Sequence, residues 1–140
     1  MILTGFNTLA NNFTDKHKDI IFEIKRNRDI MKQLYIDDLR NPKTNKNWVV
    51  LRNYENTIQW LKSYGCPHYI SFDHDLGMKG SFEAKSGYEI AKWIVNQDIE
   101  LNGEFIPKEF EFNVHSANPV GAKNISSLLN NYLKQKYNKI

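Results

Sequence analysis

The fold is decided by the stretch Tyr69-Ile70-Ser71-Phe72-Asp73-His74-Asp75-Leu76-Gly77. In it, four strand-forming residues are followed directly by titratable side chains. Residues 33–36 and residues 109–114 show the same transition from a strand pattern to polar side chains. In an open parallel sheet the carboxyl ends of all strands lie along one edge, where ligands bind. The sequence therefore predicts a polar site at that edge. The residues that follow the three strands are Asp37, Asp38, Asp73, His74, Asp75, His115 and Ser116.

Helical patterns separate these strands and a further strand at residues 48–52. Asn53 is expected to cap a helix that Gly65 ends, and Ser86 precedes a second helix. A third helix is expected from about Val120. Strands that alternate with helices predict an α/β fold, a three-layer sandwich around a mostly parallel sheet.

Two segments lie outside this alternation. Residues 78–85 contain glycine and polar side chains, and we expect them to form an exposed loop. Residues 13–28 have the apolar spacing of an amphipathic helix. We therefore predict an N-terminal helical extension over residues 1–31, followed by one α/β domain over residues 32–140.

Composition limits the class of protein. The chain has 140 residues, 41% of them hydrophobic, which suits one domain with a core. The lone Cys66 fits a reducing compartment, and no apolar run is long enough to span a membrane. No secretory leader is visible, so we expect a cytoplasmic location. The abundance of Asn, Lys and Ile is typical of an AT-rich gene from a low-GC bacterium or its phage, in which case the location is the host cytoplasm. The net charge of +3 is too small to indicate nucleic-acid binding by itself.

The acidic residues at the predicted edge suit a metal ion. Carboxylates that converge repel each other unless a cation balances them, and oxygen-rich sites favour magnesium or manganese. We expect Asp37, Asp38 and Asp75, or Asp73 in place of Asp75, to hold such an ion. Each also has a structural interpretation, because aspartate is common in tight turns. His115 alternates in phase with Asn113, so it could instead face solvent from its strand.

Basic and amide side chains near the same edge suit a phosphate. Arg40 and Arg52 lie beside the acidic residues, and arginine can bind phosphate in a bidentate manner. Ordinary surface ion pairs are the alternative for both. Asn118 and Lys123 flank the start of the last helix, whose N-terminus can receive an anion.

Four spaced motifs carry a more specific resemblance. They are Asp37-Asp38-Leu39-Arg40-x-Pro42, the strand Trp48-Val49-Val50-Leu51-Arg52, the stretch Ser71-Phe72-Asp73-His74-Asp75-Leu76-Gly77, and Val114-His115-Ser116-x-Asn118-Pro119-x-Gly121-x-x-Asn124. In this order they resemble the cyclic-phosphate processing receiver-like family.

The resemblance implies a receiver-like, flavodoxin-like sandwich with a short sheet of four to five strands and an Asp/His site. By the match, the active-site set comprises Asp37, Asp38, Asp73, His74, Asp75, His115 and Ser116, with Arg40 and Arg52 as candidates for the phosphate. One departure from true receivers is the lack of a fifth strand ending in lysine, which argues against ordinary phosphotransfer signalling.

The leading hypothesis is a phosphodiesterase that hydrolyses cyclic phosphates of nucleotides, cyclic oligonucleotides or nucleic-acid ends. Asp73 joins the metal ligands or supports catalysis, and His74 and His115 divide the base and acid roles. Ser116 holds a phosphoryl oxygen together with Arg52. A metal-free reaction that uses only the two histidines is the alternative mechanism.

Two other functions compete with hydrolysis. The first is a binding module, encoded by a phage in one version, that sequesters a nucleotide without turnover. The second is a receiver phosphorylated on Asp73, which the missing lysine disfavours. We expect no membrane partner, and the sequence indicates no protein partner.

Overall fold

Four short strands form one all-parallel sheet, which confirms the predicted receiver-like α/β class. The computed structural model describes residues 33–44, 47–79 and 82–138. The N-terminal extension predicted for residues 1–31, with its helix at residues 13–28, lies outside these residues. The strands are β1 (Gln33–Ile36), β2 (Trp48–Leu51), β3 (Tyr69–Phe72), β4 (Met78–Lys79), β5 (Phe82–Glu83) and β6 (Glu111–Val114), and the helices are α1 (Tyr54–Tyr64), α2 (Gly87–Glu100) and α3 (Pro119–Tyr137). The sheet has the order β2-β1-β3-β6, and the described residues add no fifth strand to it.

Each helix begins at a side-chain cap. The Asn53 side chain accepts a hydrogen bond from the backbone N–H of Asn56, and Ser86 caps α2 in the same way. Gly65 ends α1 with a φ of 89°, as its place after the apolar pattern predicts. Helix α3 begins at Pro119, one residue earlier than expected, because Asn118 is the cap.

The helices of the described chain pack on one face of the sheet. The chain moves in the same direction across the sheet from β2 to β3 and from β3 to β6, so right-handed crossovers place α1 and α2 on the same side. Helix α3 packs against α2. The core that they share with the sheet includes Leu34, Ile36, Ile58, Leu61, Ile70, Phe72, Ile90, Ile94, Ile125 and Leu129.

The opposite face of the sheet carries a cross-strand row of Val50, Tyr35, Ser71 and Asn113. The connection from β1 to β2, which would cross on this face, contains no helix among its described residues. Here the Tyr35 ring contacts Trp48 with 5.5 Å between ring centroids. We call this the helix-free face, because none of the described helices covers it. The third layer of the predicted sandwich is therefore not seen among the described residues.

Residues 78–85 are not the simple loop that we expected. Strands β4 and β5 pair antiparallel, and the backbone N–H of Ala84 donates to the carbonyl of Gly77 over 3.1 Å. Strands of two residues are too short to produce a periodic pattern in the sequence. This hairpin borders the candidate site.

Asp98 fixes helix α3 against α2, although its side chain is fully buried. Its carboxylate accepts the backbone N–H groups of Phe105 and Ile106, the hydroxyl of Tyr132 and the ammonium of Lys136. Burial and this carboxylate raise the pKa of Tyr132. The described helices include none that is long and apolar enough to cross a membrane.

Two helix glycines provide a test of this packing. An added Cβ at Gly87 would overlap the backbone carbonyl of Asp73, whereas the three atoms nearest to one at Gly121 all belong to the His74 ring. We expect Gly87→Ala to lower the free energy of unfolding by about 3 kcal/mol, because backbone cannot move aside as a side chain can. Gly121→Ala should cost clearly less, since the His74 side chain can be displaced from its place against Gly121 and Asp75 at a smaller cost than backbone. Urea unfolding of both variants measures this, and equal losses would contradict it.

Candidate active site

The carboxylate of Asp37 is buried at the end of β1, and both of its oxygens have hydrogen-bond partners. Its Oδ1 accepts the backbone N–H groups of Leu39 and Arg40 at 2.9 and 2.8 Å. Its Oδ2 lies 3.0 Å from Nε of Arg40 and 3.0 Å from Nε2 of His115. Burial opposes ionisation, but the backbone N–H groups of Arg40 and Leu39 and the His115 ring hold the pKa of Asp37 below its usual range. Asp37 is therefore ionised in the folded protein near neutral pH.

Asp73 is the second buried carboxylate of the site and follows β3. Burial, with a contribution from the charge of Asp37, raises the pKa of Asp73 above its usual range. A hydrogen bond from Ser116 and the charge of Arg40 oppose this rise only in part. Nη2 of Arg40 lies 3.7 Å from Oδ1 of Asp73. The two aspartates thus have opposite pKa shifts.

His115 turns back across the helix-free face after β6 ends. Its Nδ1 lies 2.7 Å from Oγ of Ser71, and its ring stacks on Tyr35 with 4.4 Å between centroids and 5° between planes. Its side chain is only 15% exposed. The alternative that His115 simply faces solvent therefore does not hold.

The two arginines near the site make different contacts. Arg40 is about half exposed and lies between the two carboxylates, and its Nη2 also donates to the carbonyl of His115. Arg52 donates to the carbonyls of Asp37 and Arg40 at 3.1 and 2.6 Å and to the Asn41 side chain at 2.5 Å. Arg52 thus braces the loop after β1. Its contact with a phosphate stays a prediction.

His74 belongs to a second group of polar side chains. Its Nδ1 lies 2.8 Å from Oδ1 of Asp75, and Nδ2 of Asn118 lies 3.4 Å from each carboxylate oxygen of Asp75. Oδ1 of Asn118 accepts the backbone N–H of Gly121. A cavity of about 360 Å³ adjoins His74 and Asp75, between the β4–β5 hairpin and the start of α2.

The structure brings together most of the predicted site residues, but in two groups. Asp38 lies outside both, with its carboxylate against Gly77. Lys123 is exposed and lines a groove of about 620 Å³ between β6 and α3, apart from both groups. The first group contains Asp37, Arg40, Asp73, His115 and Ser116, and the second contains His74, Asp75 and Asn118.

Within the described residues, three side chains could hold a metal ion. Asp37, Asp73 and His115 each offer one ligand atom, and these atoms all lie within 4.8 Å of one another. We call these three residues the carboxylate–imidazole cluster. Two oxygens and one imidazole nitrogen suit manganese or magnesium. Of the metal ligands that the sequence predicted, Asp37 belongs to this cluster, and so does Asp73, the alternative to Asp75, whereas Asp38 and Asp75 do not.

Ser71 and Tyr35, which position His115, were missed by the sequence analysis. Both were treated only as parts of strands. A signal was present, since Ser71 is a hydroxyl residue inside the apolar strand Tyr69–Phe72. Only the register of the sheet places it in one row with Tyr35 and Asn113.

Comparison with known proteins identifies a family that the chain matches. Residues 32–131 match a family model described as the cyclic-phosphate processing receiver domain. The match runs from the residue before β1 into α3 and includes both polar groups. Curated proteins and solved structures give no match.

The opposite pKa shifts predict opposite effects of amide substitution. At pH 7, Asp73→Asn should raise the free energy of unfolding on the order of 1 kcal/mol, because it removes a buried charge that faces Asp37. The pKa of Asp73 is higher in the folded than in the unfolded chain. The gain should therefore be absent below about pH 4 and grow as the pH rises through the folded-state pKa.

Asp37→Asn should instead destabilise the protein by about 2–3 kcal/mol at pH 7, because an amide turns a donor toward groups that only donate. This loss should shrink as the pH falls below about 4, since the contribution of Asp37 disappears as its carboxylate is protonated. Denaturant unfolding between acid and neutral pH measures both variants. Destabilisation by Asp73→Asn at pH 7 would contradict the assigned shifts.

Proposed function

Because the chain belongs to the cyclic-phosphate processing receiver domain family, we propose that it is a phosphodiesterase that hydrolyses a cyclic phosphate. The substrates that we propose are nucleotides, cyclic oligonucleotides or nucleic-acid ends that carry such a group. One observation carries the proposal, the carboxylate–imidazole cluster at the carboxyl ends of three neighbouring strands. This edge is where open parallel sheets bind ligands.

Arg40 is the group best placed to receive the phosphate. Two carboxylates alone would repel a phosphodiester, but the guanidinium of Arg40 lies between Asp37 and Asp73 and remains about half exposed. A guanidinium can offer two parallel N–H donors to phosphoryl oxygens. Ser116 adds a hydroxyl beside Asp73. These contacts support phosphate binding above the cluster.

We propose that a magnesium or manganese ion is held by Asp37, Asp73 and His115. The donor set fits, since it contains two carboxylate oxygens and one imidazole nitrogen within reach of one ion. Such an ion would supply charge neutralisation at the phosphoryl oxygens. The same carboxylates hold Arg40, so that metal binding and the Arg40 contact compete for Asp37 and Asp73.

A module that captures a nucleotide without turnover is the second candidate. The observation in its favour is that both ring nitrogens of His115 already have partners, Ser71 and Asp37. Such a site could bind a ligand through Arg40 and leave it unchanged. If the gene belongs to a phage, the module would sequester a nucleotide of the host.

A turnover screen tests both functions. The protein is incubated with cyclic mono-, di- and oligonucleotides and with RNA ending in a 2′,3′-cyclic phosphate, in magnesium, manganese or EDTA. Asp73→Asn is the informative variant, because we expect it to fold at least as stably as the parent. It should lower kcat/KM at least about 100-fold. Lys134→Gln, in the last turn of α3, is the matched control and should retain activity.

The outcomes separate the candidates. A linear product that EDTA and Asp73→Asn both abolish supports the metal-dependent enzyme, and a product that resists EDTA overturns the metal. No product, with one ligand raising the Tm of the parent and not of Arg40→Gln, supports the capture module. Neither product nor Tm shift with any ligand would reject both functions.

A further inference from the structure

The two histidines of the site face carboxylates through different ring nitrogens. His74 points Nδ1 at Asp75 over 2.8 Å, whereas His115 points Nε2 at Asp37 over 3.0 Å. An ionised carboxylate can only accept hydrogen bonds, so the nitrogen that faces it must carry the hydrogen. A neutral imidazole carries one hydrogen, and its lone pair then lies on the other nitrogen.

The second nitrogen of His115 has a partner that fits this hydrogen position. Nδ1 lies 2.7 Å from the hydroxyl oxygen of Ser71, which is buried. Nδ2 of Asn113 donates to the same hydroxyl oxygen over 3.4 Å, which leaves the hydroxyl hydrogen to point at His115. In neutral His115 the lone pair therefore lies on Nδ1 and accepts the hydrogen bond of the buried Ser71 hydroxyl.

In His74 the ring nitrogen that is held toward a carboxylate is Nδ1 instead of Nε2. Asn118 fixes Asp75 by donating toward both carboxylate oxygens, and the His74 ring packs so closely on Gly121 that a Cβ has no room there. Nδ1 of His74 is thereby directed to Asp75, and the lone pair of the neutral ring lies on Nε2. The side chain is 21% exposed.

We propose that neutral His74 and neutral His115 have opposite tautomers, and that this makes His74 the general base. Asp75 is then a positioning residue for His74 rather than a metal ligand, and Asn118 supports it. In the metal-free protein His115 presents Nε2–H as a hydrogen-bond donor. A metal bound at Nε2 would move this hydrogen to Nδ1, where the hydroxyl oxygen of Ser71 could accept it, so that Nε2 of His115 cannot accept a proton in either state. Ser71 is the positioning residue for His115.

The base role rests on the proposed function. As the oxygen of the attacking water bonds to phosphorus, one water proton passes to Nε2 of His74. The ester bond between phosphorus and the ring oxygen breaks, and the leaving oxygen takes a proton from solvent water. The hydroxide that this leaves takes the proton back from His74, which restores the neutral ring. The attacked phosphate becomes a monoester, which in the product of a cyclic dinucleotide stands at one end of a linear dinucleotide.

The tautomers can be read directly by long-range proton–nitrogen NMR of the uniformly ¹⁵N-labelled full chain. The spectra are recorded in EDTA at about pH 9, above the usual titration range of histidine. His74→Gln and His115→Gln identify the two rings among the four histidines of the chain. We expect the Nδ1–H pattern for His74 and the Nε2–H pattern for His115. Nε2–H on His74, or the same tautomer on both rings, would overturn the proposal.

Asp75→Asn tests the positioning role. The amide can donate to Nδ1, so His74 should change to the Nε2–H tautomer, with kcat reduced at least about 100-fold and KM nearly unchanged. Glu89→Gln is the matched control, because Glu89 adjoins the same cavity but pairs with Lys92. It should leave the tautomer and kcat as they are. An unchanged His74 tautomer in Asp75→Asn would reject the role of Asp75.

The tautomers are read without substrate, which separates this assignment from the proposed function. A failed turnover screen with the expected tautomers would reject hydrolysis and the base role, while the hydrogen positions would stand. Turnover with the wrong tautomers would retain the enzyme and reject the base assignment.

Discussion

The buried carboxylate of Asp37 is the interaction on which the rest of the site depends. It gathers N–H groups from its own loop and from the end of β6, through Leu39, Arg40 and His115. Its backbone carbonyl also holds Arg52, which follows β2. One residue thus joins the ends of three strands. A buried charge is stable only when its lone pairs are all satisfied, and here the required donors are the groups that form the site.

The two aspartates of the cluster have different surroundings. The backbone carbonyl of Asp73 lies against Gly87 at the start of α2, and its buried side chain accepts a hydrogen bond from Ser116. Asp37 instead faces two backbone N–H groups of its own loop and the ring of His115. That difference in surroundings is consistent with the opposite pKa shifts of the two aspartates.

The sequence was informative where local rules apply. The caps at Asn53 and Ser86 and the helix end at Gly65 follow from side-chain and backbone geometry within a few residues, and the structure has them. The ends of the strands could also be predicted, because each apolar run stops at a polar residue. The placement of Asp37, Asp73 and His115 at one edge then followed from the parallel sheet.

Contacts between distant residues could not be read in this way. A period of two indicates which face His115 belongs to, but not that the ring turns back to reach Ser71 and Asp37 after the strand has ended. Likewise, Arg52 resembles a free phosphate ligand in the sequence, yet it braces a loop fifteen residues away. Such contacts depend on the strand order β2-β1-β3-β6, which no local pattern contains.

The β4–β5 hairpin pairs with itself and not with the four-stranded sheet. Its two strands pair with each other, and the hydrogen bond from Ala84 to Gly77 brings the chain back to where it left. The hairpin also forms one wall of the cavity beside His74. Loops that start and end at the same point tolerate changes of length and composition. A graft at this position would therefore reshape one wall of that cavity while the pairings of the four-stranded sheet are kept.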